Sequence, residues 1–280
     1  METGQKHMAT TNSSLHTNTH KELSIQISLS GLSFCILNLN TQHVDVLKHQ
    51  AFKKYETPYQ LLEHVQALFA NEDCLNQEFD TIQIIHTNEL STLVPRPLFS
   101  EEYLADYLKF NSKILKSDFI TFDAIDINDS LNVYVPYVNI NNYIYEQFGE
   151  FTYKHFSTVL IESVLQIEKN TDEPKLYIHI NSRHFEILSV DSGALQFYNT
   201  FEYSSKEDFI YYLLFTIEQL HLNPETIKLV FVGDILKNSE LYNIAYEYVR
   251  HISFGLHKNK FTFNHQPQTQ HAEFIILNSF

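Results

Sequence analysis

The 280-residue sequence is short of glycine, cysteine and positive charge, and each shortage excludes something. Six glycines are few for loops that wrap phosphates, which usually need several positions without a Cβ. The two cysteines, Cys35 and Cys74, make neither a disulfide framework nor a paired metal motif. Cys35 falls in an apolar strand pattern and reads as a small buried hydrophobe. Lys and Arg number 19 against 34 Asp and Glu, a net charge of −15 with no basic cluster. A phosphate backbone demands the opposite balance, so nucleic acid is excluded as a partner. No apolar run approaches the roughly 18 residues of a membrane span. The first stretch, residues 1–20, is polar and rich in Thr, Asn and His, without a secretory core; it is expected to be a disordered tail. Cytoplasmic residence is the default expectation.

What is present is a repeat. LSIQISLSGLSFCILNLNTQ (23–42) and LYIHINSRHFEILSVDSG (176–193) are both strand, polar turn, strand, turn. Leu23, Ile25 and Ile27 align with Leu176, Ile178 and Ile180, and Phe34, Ile36 and Leu37 with Phe185, Ile187 and Leu188. The alternation puts one face of each strand inward. A third strand follows at Val44–Leu47 and at Leu195–Tyr198, which completes two three-stranded meanders. Thr57-Pro58-Tyr59-Gln60 then supplies an N-cap, a first-turn proline and a capping-box partner, and Ser204-Ser205-Lys206-Glu207 supplies the second box. Apolar stripes at helical spacing follow both. Buried strands are expected at DTIQII (80–85) and ETIKLV (225–230), then helices near Ser100–Phe110 and Asn238–His251. Closing strands are expected at Leu131–Val138 and Ala272–Leu277. Each half reads β-β-β-α-β-α-β, an α/β architecture with mixed sheets and helices on their faces. The expected division is a tail (1–20), a first lobe (21–150), a connecting helix and linker (151–173) and a second lobe (174–280).

Two such tandem units resemble the actin-like ATPase superfamily, built of RNase H-like lobes around a cleft, which includes sugar kinases, Hsp70-type chaperones and PilM-like pilus-assembly proteins. HFEILSV…LQFYNTFEYSSKEDFIYYLLF more closely resembles the DUF3822 family of Bacteroidota proteins of unknown function. The resemblance implies an actin-like fold and no particular activity. In members that hydrolyse ATP, the first hairpin of each lobe holds an Asp for Mg²⁺ and water, with backbone N–H groups facing the phosphates. Here the hairpins read Ser28-Leu29-Ser30-Gly31 and Asn181-Ser182-Arg183-His184, with no Asp in either. Phe231-Val232-Gly233-Asp234 stands where paired glycines usually receive adenosine, and one glycine remains.

The resemblance therefore implies a non-catalytic scaffold or interaction protein with an unidentified protein partner and no cofactor. The rival is a diverged ATPase or kinase that takes Mg-ATP or another anionic ligand in the cleft. Any small ligand is expected between the hairpins, at Ser30 and Gly31 on one side and Asn181 and Arg183 on the other, with Gly233 and Asp234 at a strand's carboxyl end. Arg183, one of three arginines, is the charge such a ligand would use, although an exposed turn residue would look the same. Among fifteen histidines none forms H-x-x-x-H on an expected helix or pairs with cysteine at ligand spacing; His16 and His20 have that spacing but fall in the tail. His179 and His184 flank one hairpin and read as structural, with cross-strand proximity open to them. The tyrosines at 134, 137, 143 and 145 and at 242, 246 and 248 suit either a contact surface or ordinary packing.

Overall fold

The computed structural model describes residues 20–258 and 260–280, and the expected disordered tail lies outside them except for His20. The first meander forms as the alternation predicts. Strands β1 (Lys21–Ser28), β2 (Gly31–Asn38) and β3 (His43–Ala51) run antiparallel, with Leu23 opposite Ile36 and Ile25 opposite Phe34. Helix α1 (Pro58–Asn71) starts on Thr57, whose capping box with Gln60 is complete. It delivers β4 (Thr81–His86) parallel to β1.

The next segment departs from expectation. β5 (Ser91–Pro95), α2 (Leu104–Lys109), β6 (Thr121–Ile125) and β7 (Ser130–Tyr134) form a separate three-stranded antiparallel sheet in the order β5-β7-β6. The expected helix near Ser100–Phe110 and the expected strand at Leu131–Val138 thus belong to an insertion with its own small core of Val94, Leu108 and Val133. The second helix of the unit is α3 (Val138–Phe148), and its closing strand is β8 (Thr152–His155), parallel to β4. Helix α4 (Phe156–Glu168) follows.

The second unit runs β9 (Lys175–Ile180), β10 (His184–Asp191), β11 (Ala194–Glu202), α5 (Lys206–Gln219), β12 (Lys228–Gly233), α6 (Glu240–Tyr248) and β13 (His251–Phe254). Its box is one residue later than expected: Ser205 caps α5 and Asp208 answers it. The segment expected to close this unit as a strand, 272–277, is instead the short helix α7 (Phe274–Leu277), because β13 already occupies that place beside β12. Between them β14 (Thr262–Phe263) returns to pair with β3.

The sheets have the orders β14-β3-β2-β1-β4-β8 and β11-β10-β9-β12-β13. Without β14 the two orders are the same, so the protein is two RNase H-like lobes in an actin-like arrangement. Leu23, Ile25, Phe34 and Ile36 face α1 and α3, and Ile178, Phe185, Ile187 and Leu229 face α5 and α6. The opposite faces, with Cys35, Leu37 and Ile85 from one sheet and Leu188, Val190 and Val232 from the other, enclose α4 and α7 in a shared core. Helix α4 is therefore covered on several sides, and Phe156, Leu160, Ile161, Val164 and Leu165 are buried. Each such side chain contributes roughly 1.5–3 kcal/mol of burial free energy.

Candidate functional site

Both hairpins that the sequence singles out open onto one cleft. A cavity of about 460 Å³ lies there, lined by Ser30, Gly31, Asn181, Gly233 and Asp234 among others. The structure thus brings together five of the six expected site residues. Arg183 is the exception: it is exposed and its guanidinium sits 5.4 Å above the Tyr55 ring, and it is not part of the cavity wall. Among the described residues no Lys or Arg lines this cavity, whereas the carboxylates Asp234 and Glu273 do.

The first hairpin uses its own donors. The backbone N–H groups of Ser30 and Gly31 donate to Ser28 Oγ at 3.2 and 3.0 Å, and Ser28 Oγ donates to the Gly31 carbonyl at 2.9 Å. Gly31 is glycine because a Cβ there would lie 2.8 Å from the Gln50 carbonyl oxygen of β3. Gly233 is held likewise. Its N–H donates to the His271 carbonyl at 2.9 Å and the Asp234 N–H donates to that of Ile180 at 2.8 Å. With φ at +86° and an imagined Cβ 2.5 Å from Ile180 O, only glycine fits position 233. Both glycines are explained by close backbone approach, without a ligand.

The second hairpin is braced by a group the sequence reading missed. His179 and His184 both donate through Nδ1 to the wholly buried Glu186, at 2.6 Å to Oε2 and 2.6 Å to Oε1 respectively. Burial alone would raise the Glu186 pKa, but the His184 charge and both hydrogen bonds outweigh it and bring it down to about 2. Burial likewise opposes the charge on His184, yet the Glu186 carboxylate raises its pKa. The signal was available: Glu186 stands directly opposite His179 in the β9–β10 register and two residues from His184 on one strand face.

The tyrosines divide. Tyr134 and Tyr137 are core residues, Tyr137 donating to the Thr87 carbonyl at 3.0 Å, while Tyr145, Tyr246 and Tyr248 are exposed. The insertion carries a denser apolar surface, with Phe110 88%, Leu98 71% and Leu115 68% exposed. Among the described residues no three His, Cys, Asp or Glu side chains gather as a metal site, and no helix is long and apolar enough to cross a membrane.

A family model described as "Protein of unknown function (DUF3822)" matches residues 10–252. A crystal structure from Bacteroides thetaiotaomicron, described as a protein with actin-like ATPase fold and unknown function, is similar at TM-score 0.71 and 24% identity, over 85% of this chain and 91% of that one. A PilM–PilN type IV pilus biogenesis complex is similar at TM-score 0.57 and 10% identity, over 87% of this chain and 90% of that one. These likenesses establish the actin-like fold. No curated protein matches the chain.

Proposed function

Because the chain belongs to the DUF3822 family of proteins of unknown function, we propose that it is a non-catalytic scaffold or interaction protein, an actin-like frame without the nucleotide chemistry. The observation that carries this reading is the state of the first hairpin. Its Ser30 and Gly31 N–H groups, placed where phosphates would be received, already donate to Ser28 Oγ. A triphosphate would also meet Asp234 and Glu273 with no lysine or arginine on the wall among the described residues, and the charge of His184 there is already paired with Glu186. Phosphoryl transfer depends on electrostatic stabilisation of a highly charged transition state, and this cavity offers the wrong sign. The C-terminal segment further supports a fixed frame. It pairs with β3 through β14, and from beyond that strand His271 accepts from Gly233 and bonds the Ile235 carbonyl at 2.6 Å.

Thermal or chemical denaturation with and without Mg-ATP tests this reading. No shift is expected. The rival, a diverged ATPase or kinase, requires nucleotide at 100 times its Kd to add about 2.7 kcal/mol. A stabilisation of that size would reject the scaffold reading.

A scaffold must offer a surface. The apolar residues of the insertion, Leu98, Phe110 and Leu115, favour a protein partner there. The PilM likeness, which comes from a complex with PilN, agrees with an interaction role. In affinity capture, Phe110→Glu combined with Leu115→Glu should abolish partner recovery while changing stability by less than about 0.5 kcal/mol per site. Undiminished recovery would move the partner surface elsewhere.

A further inference from the structure

The cleft still holds two acceptors that no protein donor satisfies. His179 is only 3% exposed, and its Nδ1–H is committed to Glu186 at 2.6 Å. In the neutral ring with its proton on Nδ1, Nε2 carries a lone pair, and among the described residues nothing bonds to it. The ring edge bearing Cδ2 and Nε2 lies beside Gly233, and both residues line the cavity. Nε2 is also not among the polar atoms sealed inside the protein without a partner, such as Asn132 Oδ1 and Thr216 Oγ1. A buried acceptor left unpaired is costly, so an outside donor there is favoured.

The second acceptor is Asp234, next to Gly233. It lines the same cavity, is exposed, and its carboxylate makes no hydrogen bond or ion pair with any described residue. Glu273 adds a further carboxyl group to the wall, 3.7 Å from the His49 ring. His184 on the same wall has its charge balanced by Glu186, and with no lysine or arginine there among the described residues and a chain charge of −15, the local field favours a cation.

We propose that the cleft binds a small organic cation, a guanidinium or primary ammonium compound that donates to His179 Nε2 and pairs its charge with Asp234. The charge-assisted bond to Asp234 supplies attraction, and the recessed imidazole supplies direction. A volume of about 460 Å³ lies within the usual range of small-molecule sites. This assignment reverses the charge of ligand expected from Arg183 and goes beyond the scaffold reading.

Calorimetric titration of the full chain with agmatine, which carries both cationic groups, tests it. Saturable binding is expected, with Asp234→Asn weakening it roughly tenfold or more. Asp234 is exposed, so that variant should fold, and its folding is checked by circular dichroism. Arg183→Ala, outside the cavity, should bind as the parent does, and the uncharged analogue pentylurea should not bind. Absence of agmatine binding at millimolar concentration, equal binding by Asp234→Asn, or equal binding of pentylurea would overturn the proposal. Those outcomes leave the scaffold reading intact, which only Mg-ATP binding would remove.

Discussion

Alanine in place of Gly233 is expected to cost the fold about 3 kcal/mol or more, seen as a lowered denaturant midpoint at unchanged slope. Two penalties combine at this position. The backbone φ of +86° is one that a residue with a Cβ rarely adopts, and the added carbon would stand 2.5 Å from the Ile180 carbonyl oxygen. That oxygen has no room to retreat, because it accepts the Asp234 N–H at 2.8 Å and belongs to β9, paired on both sides. The His179 ring, 2.9 Å from the same imagined carbon, is pinned by Glu186. Gly149 is the control. It has a similar φ of +78° at the end of α3 but nothing within 4 Å of its imagined Cβ. Gly149→Ala should therefore cost only about 1 kcal/mol, the backbone part alone. Equal losses at the two sites would show that close packing is not what requires glycine at 233. The result also bears on function, since a glycine fixed by its neighbours is no trace of an adenosine site.

The parts of this fold that could be read from sequence are those with a strong period. β1 and β9 alternate because one face of each carries the apolar residues that meet helices, Leu23, Ile25 and Ile27 and Leu176, Ile178 and Ile180, while the other carries polar side chains such as Ser24, Gln26 and His179. Thr57 and Gln60 announced α1 because the capping box is a local device. The closing strand β8 carries no such mark: Thr152–His155 is four residues long with only His155 buried. The more apolar stretch Leu131–Val138 reads as that strand instead, although Ser130–Tyr134 pairs only within the insertion. Phe274–Leu277 is four apolar residues in a row, and burial between layers makes helix and strand look alike at that length.

The candidate site divides in the same way. Position along the chain brought Ser30, Gly31, Asn181, Gly233 and Asp234 to one cavity, because hairpins and strand ends follow from topology. The direction of a side chain does not, and Arg183 turned to Tyr55 instead. Glu186 escaped notice because it sits among apolar residues in β10, where an inward charge is costly unless its partners are seen.

Removing those partners' shared acceptor is the more informative experiment. Glu186→Ala should destabilise the protein by about 3–5 kcal/mol, the usual consequence of breaking a buried ion pair from one side. The loss leaves the Nδ1–H groups of His179 and His184 without their acceptor inside the second lobe. Its pH dependence follows from the two shifts. Glu186 titrates at about 2 in the folded protein, below the ordinary carboxylate value of 4.5, so its contribution is complete above about 4.5 and disappears as the pH falls through about 2. His184 is shifted upward from 6.5, so its contribution is complete below about 6.5 and is lost as the pH rises through its folded value. The stability difference between parent and Glu186→Ala should accordingly be widest between about pH 4.5 and 6.5 and narrow on both sides. Urea denaturation carried from well below pH 4.5 to well above pH 6.5 measures it. A difference that does not vary with pH would mean that the cluster is held by packing, with no charge on His184, and would remove the electrostatic account of the second hairpin.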